Sequence, residues 1–120
     1  MNKKPVTPTL HGIIDYIFSG IQIIAPAALK FNAETVKIYQ VSGAVFLSVN
    51  AVTDTPVAIR KAISLKTHQK TDAAFLAGLS LITFANFIRK DSKTLHFHLS
   101  FLAIAVTHYV LTDYNTIAGK

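Results

Sequence analysis

One short pattern occurs twice in this chain, and the spacing of its copies constrains the fold more than any other feature. His11-Gly-Ile-Ile-Asp15 opens one apolar stretch, and His68-Gln-Lys-Thr-Asp72 opens another 57 positions later. Val52-Thr53-Asp54 closes a second apolar stretch, and Leu111-Thr112-Asp113 closes a further one, with Asp113 59 positions after Asp54. Each half therefore runs His-x-x-x-Asp, apolar segment, loop, apolar segment, Thr-Asp. A unit with an even number of segments returns the chain to its starting side. The two halves then share one orientation, as a parallel repeat about an axis normal to the plane they cross.

The apolar blocks cover about residues 10–29, 36–52, 73–88 and 95–111. With their flanking Thr, His and Asp they approach the roughly 20 residues needed to cross a bilayer. They are apolar nearly all round and not along one stripe, which predicts helices facing lipid. Only 15% of the residues are charged, against roughly 25% in a soluble domain. The expected fold class is all-α: a four-transmembrane-helix bundle made of two tandem helical-hairpin repeats. Repeat 1 is placed at about residues 8–54, an interfacial connector at 55–66 and repeat 2 at 67–114. A soluble four-helix bundle is the rival architecture.

Local signals mark the boundaries. Thr7 is a natural N-cap with Pro8 in the first helical position, and Asn32 caps the second helix with Glu34 in its first turn. Asp91 or Ser92 can cap the last helix. Asp54-Thr55-Pro56 is another cap-plus-proline start, opening a mixed apolar and basic connector that suits the membrane surface. Lys3, Lys4, the apolar run and Ala25-Pro26-Ala27 together imitate a secretory signal. Asp15 inside the run, and the recurrence of its motif, favour a first span over a cleaved peptide.

The net charge of +6 would raise nucleic-acid binding in a soluble protein. Here the cations sit between apolar blocks, where they meet phospholipid headgroups, and no Lys/Arg stripe interleaves with aromatics. The expected partners are the lipid bilayer and either a second copy or another membrane protein, with no nucleic acid. Lys3, Lys4, Arg60, Lys61, Lys66, Lys70 and Lys120 fall on one side, against Lys30, Lys37, Arg89, Lys90 and Lys93 on the other. That excess leans towards both termini being cytoplasmic.

The hairpin plan gathers His11, Asp15, Asp54, His68, Asp72 and Asp113 near one membrane face, with Asn50 and Tyr109 one turn before the closing Asp residues and His108 at similar depth. A spacing of four puts His and Asp on one helix face in each motif. Mutual pairing of these groups across a pseudo-two-fold is a sufficient account, because a carboxylate near hydrocarbon is costly alone. The alternative is a site for protons or a divalent metal ion in a small transporter or ion-binding protein. A haem held by His11 and His68, or with His108, is a third option. His96 and His98 do not share a helical face and are expected at the interface. Gln22, Ser80, Thr83 and Asn86 are expected to link helices by hydrogen bonds. Ala44-x-x-x-Ser48 and Ala74-x-x-x-Gly78 offer close helix approach.

With His11-Gly-Ile-Ile-Asp15-Tyr16 and the Thr53-Asp54 and Thr112-Asp113 closures, residues 10–114 resemble the SPW-repeat family of small prokaryotic integral membrane proteins. Ala25-Pro26-Ala27-Ala28-Leu29 takes the place of that family's Ser-Pro-Trp segment, and Ile82-Thr83-Phe84 stands there in the second half. The resemblance implies a multi-pass protein of the prokaryotic inner membrane and no particular reaction. The chain lacks phosphate-loop, His-Glu-x-x-His and Gly-x-Ser-x-Gly signatures, so a non-enzymatic protein without a cofactor is expected.

Overall fold

The computed structural model describes residues 3–115, whose regular secondary structure is helical, with two isolated β-bridges among the connecting turns. Lys120 lies outside the described residues. Helix α1 spans Pro8–Ala28, α2 Ala33–Ala51, α3 Leu65–Ile82, α4 Asn86–Arg89 and α5 Ser92–Leu111.

The helix starts follow their capping chemistry. Thr7 Oγ1 accepts from the Leu10 amide at 3.2 Å, and Asn32 Oδ1 accepts from the Thr35 amide at 2.9 Å. Ser64 caps α3 through the Thr67 amide at 3.1 Å, and Asp91 caps α5 through the Thr94 amide at 3.3 Å. The caps of α1 and α3 are 57 positions apart, and those of α2 and α5 are 59 apart. Asp54-Thr55-Pro56 opens no helix. Its segment is a turn, held where Asp54 N–H donates to Ile63 O at 2.8 Å and Tyr16 OH donates to Val57 O at 2.8 Å.

The third apolar block departs from its expected range of 73–88. Because Ser64 caps so early, Lys66, His68, Lys70 and Asp72 all belong to α3. The helix stops at Ile82 because the Leu79 carbonyl is claimed by the Thr83 hydroxyl at 3.1 Å and by His98 Nε2 at 2.9 Å. The end of the block folds separately as the single turn α4, whose Ile88 is fully buried.

Helix α1 packs most extensively along α2, while α3 lies against α5, and α4 touches α2 and α5. Gly43 makes the first pairing possible: a Cβ there would lie 2.9 Å from Gln22 Cβ and 3.0 Å from Ser19 O. The small-residue pairs expected to do this work do not. Ala44, Ser48, Ala74 and Gly78 are exposed, and a Cβ on Gly78 would meet nothing within 4 Å.

The distribution of polarity is inverted relative to a soluble bundle. Among the described residues, buried polar side chains outnumber large buried apolar ones, whose core centres on Phe18, Tyr39, Phe46, Leu79 and Phe101. Ile17, Ile24, Val41, Val45, Leu81, Ile104 and Val110 point outward. By length and composition, α1 and α5 are each able to cross a membrane, and α2 and α3 fall short of the same test.

Candidate functional site: a buried His/Asp centre

Two structural details aim the imidazoles of His11 and His68 at one point. The N-cap of each parent helix places the histidine one turn in, and a parallel β-bridge ties that entry to another helix's exit. Val6 bridges Thr112 at the end of α5, and Ile63 bridges Thr53 at the end of α2. Both threonines thereby reach a histidine. Thr112 Oγ1 lies 2.7 Å from His11 Nδ1, and Thr53 Oγ1 lies 2.6 Å from His68 Nδ1.

Each threonine hydroxyl already donates its proton, Thr112 to His108 O at 2.6 Å and Thr53 to Val49 O at 2.6 Å. A hydroxyl has one hydrogen to give, so each must accept from its histidine. Both imidazoles therefore carry Nδ1–H, and Nε2 is the atom turned inward.

At the centre the two Nε2 atoms stand 3.2 Å apart. His68 Nε2 lies 2.8 Å and His11 Nε2 2.9 Å from Asp15 Oδ2. Asp72 completes the ring, its Oδ2 3.1 Å from His11 Nε2 and its Oδ1 3.2 Å from His68 Nε2. All four side chains are buried. Outer donors hold the carboxylates in turn: His108 Nε2 lies 2.9 Å from Asp15 Oδ1, and Tyr114 OH donates to Asp72 Oδ2 at 2.7 Å. Asp72 Oδ1 is buried and makes no hydrogen bond. Burial and the neighbouring Asp72 carboxylate push the Tyr114 phenol well above its ordinary range.

Of the expected cluster, His11, Asp15, His68 and Asp72 come together. Asn50 lies beside them and ties α2 to α1 by donating to Gly12 O at 2.8 Å. Asp54 does not join. It is solvent-exposed, 3.8 Å from Lys61, because the connector carries it outward. Asp113 sits in the turn after α5, where its Oδ1 accepts from the Asn115 amide at 3.1 Å. Tyr109 packs edge-on against Tyr114. With Asp15, Asp72 and His108, these two tyrosines border a cavity of about 30 Å³, room for a single water.

Thr53, Thr112 and Tyr114 are partners that the expected cluster left out, and His108 enters it directly. The threonines were visible only as closure marks, since nothing in the chain says that a helix exit will meet another helix's histidine. His98 is fully buried and not interfacial, bonded to Tyr39 OH at 2.7 Å through Nδ1. Gln22 and Thr83 do link elements, through Ser42 at 2.7 Å and His98 at 2.8 Å. Ser80 and Asn86 bond locally, to Leu76 O and Arg89. A haem iron between His11 and His68 is excluded, because a 3.2 Å gap containing a carboxylate oxygen leaves no place for a macrocycle.

In comparisons with family models, curated proteins and solved structures, none matches the chain.

Proposed function

We propose that this chain is a small four-span protein of the prokaryotic inner membrane, built of two tandem hairpins, whose His/Asp centre is the charged cross-piece that holds the halves together. Its role is non-enzymatic. One observation carries the cross-piece: each histidine reaches the carboxylate of the other half, His68 to Asp15 at 2.8 Å and His11 to Asp72 at 3.1 Å. Thr112 on His11, Tyr114 on Asp72 and Thr53 on His68 extend the same network into the helix exits.

The membrane assignment rests on the inverted polarity. Water would not favour Ile24, Val41, Leu81 and Ile104 outside with histidines and aspartates inside, whereas hydrocarbon favours that arrangement. Helices α2 and α3 have 19 and 18 residues, roughly 27–29 Å at 1.5 Å per residue, close to the hydrocarbon thickness. Their charged first two turns, with Glu34 and Lys37 in one and Lys66 and Lys70 in the other, fit the headgroup layer. The recurrence of cap, histidine, aspartate and threonine at offsets of 57 and 59 supports the repeat, as does the resemblance to SPW-repeat proteins. The lysine and arginine distribution supports cytoplasmic termini.

The test is extraction followed by unfolding in detergent. The chain should stay with membranes through an alkaline carbonate wash, and Asp15→Asn and Asp72→Asn should each unfold far more readily than wild type. Release by carbonate would establish the soluble bundle instead, and wild-type resistance in both variants would remove the cross-piece.

A further inference from the structure

The centre concentrates acceptors. With both Nδ1–H groups committed to Thr112 and Thr53, two Nε2 atoms and two carboxylates face one point. Nitrogen atoms 3.2 Å apart in that tautomer repel, and so do the carboxylates, unless positive charge lies between them. Two negative charges call for two positive ones, which a proton on each Nε2 or a single dication can supply, and two Nε2–H groups facing one another at 3.2 Å would repel in turn.

We propose that one divalent transition-metal ion of the zinc class supplies them, bound by His11 Nε2, His68 Nε2, Asp15 Oδ2 and Asp72 Oδ1. The proposal rests on the charged cross-piece described above and names its cation. The ligand spacing, the outer partners, the donor set and the charge balance support it.

The ligand atoms of these four residues lie within 4.8 Å of one another, and four of the six edges between them, the two Nε2 atoms, each Nε2 to Asp15 Oδ2, and His68 Nε2 to Asp72 Oδ1, run from 2.8 to 3.2 Å. A tetrahedral ion with bonds of 2.0–2.1 Å needs edges of roughly 3.3 Å. Outward shifts of a few tenths of an ångström bring these four edges to that length and relieve the close Nε2 contact, and Asp72 Oδ1 turns to close the remaining two.

Each carboxylate has one oxygen with an outer donor, although Asp72 Oδ2 also lies 3.1 Å from His11 Nε2. Asp15 Oδ1 is taken by His108 and Asp72 Oδ2 by Tyr114. Asp15 Oδ2 faces both histidines, and Asp72 Oδ1 is buried without a hydrogen bond. Each ligand thus has its own outer partner: Thr112, Thr53, His108 and Tyr114. Such partners fix ligand orientation and basicity in metal sites.

The donor set selects the ion. Imidazole nitrogen with carboxylate oxygen suits zinc and its late first-row neighbours, whereas magnesium and calcium ask for all-oxygen shells of six or more. A dication also leaves the centre neutral, which hydrocarbon surroundings favour.

The test uses the untagged full chain in detergent, stripped with a chelator and titrated with Zn2+ and with Co2+. One equivalent should bind, Co2+ should show the intense visible bands of tetrahedral coordination, and Zn2+ should raise the melting temperature where Mg2+ and Ca2+ do not. Asp72→Asn should abolish the cobalt bands. Tyr114→Phe, which removes no ligand, should keep the fold and weaken Zn2+ binding by about 10–100-fold.

A folded, stripped wild type that takes up neither ion overturns the proposal. So does binding with octahedral cobalt bands that Asp72→Asn leaves unchanged. If the metal fails while both aspartate variants still destabilise, the cross-piece stands without it. If metal binds but the metal-free aspartate variants are as stable as metal-free wild type, the cross-piece falls and the metal site remains.

Discussion

His11 and His68, 57 residues apart in the chain, meet Nε2 to Nε2 at 3.2 Å with their rings nearly perpendicular. Each ring is turned by a threonine that lies just past the end of a different helix from its own. The helix exits therefore steer the centre as much as the helices that carry the ligands do.

That arrangement makes the threonines sensitive. Thr53→Val and Thr112→Val keep the shape but leave a buried Nδ1–H without an acceptor, which costs about 1–3 kcal/mol each. Thr→Ser at either position should recover most of the loss. Reversible unfolding in mixed detergent measures both, and a neutral Val variant would show that the hydroxyls do not orient the rings.

The aspartates should separate by location. Asp15→Asn removes the carboxylate that buried His11 and His68 and part-buried His108 all face, and should destabilise by about 3–5 kcal/mol. Asp54→Asn loses only an exposed contact to Lys61 at 3.8 Å and should stay within about 0.5 kcal/mol of wild type. Equal effects from the two would contradict the geometry.

Two glycines should behave oppositely. Gly43→Ala drives a methyl against Gln22 Cβ and Ser19 O, forcing α1 and α2 apart at a cost of about 1–3 kcal/mol. Gly78→Ala meets open space inside α3 and should be neutral or stabilise by up to about 1 kcal/mol through helix propensity. Melting temperatures of the two variants decide this.

Asp91 gives the α5 start a pH dependence. The Thr94 hydroxyl, then the Thr94 amide, hold its carboxylate below the ordinary value of 3.8. A lowered folded-state pKa means that the ionised cap stabilises fully above the unfolded value and loses that contribution as pH falls through the folded one. Exchange protection of the Thr94 amide should therefore weaken only in acid below 3.8, and Asp91→Asn should remove the dependence.

The sequence alone determined the local grammar. Thr7, Asn32 and Asp91 mark helix starts because a short oxygen-bearing side chain satisfies free amides wherever the backbone turns in. The spacing of four in His11/Asp15 and His68/Asp72 put each pair on one face, since helical periodicity is a property of the chain itself. Where α3 begins and ends was less legible: an early serine cap and a distant histidine on the Leu79 carbonyl overrode the apolar pattern. Only the tertiary structure decided that Asp54 turns outward while Asp72 turns in, and that Gly43, not Gly78, is the point of close approach. It also decided which hydroxyl orients which imidazole, through bridges joining Val6 to Thr112 and Ile63 to Thr53. Side chains from three helices and from the turns after α2 and α5 converge on this centre, and no local rule of spacing or propensity encodes where separate helices meet.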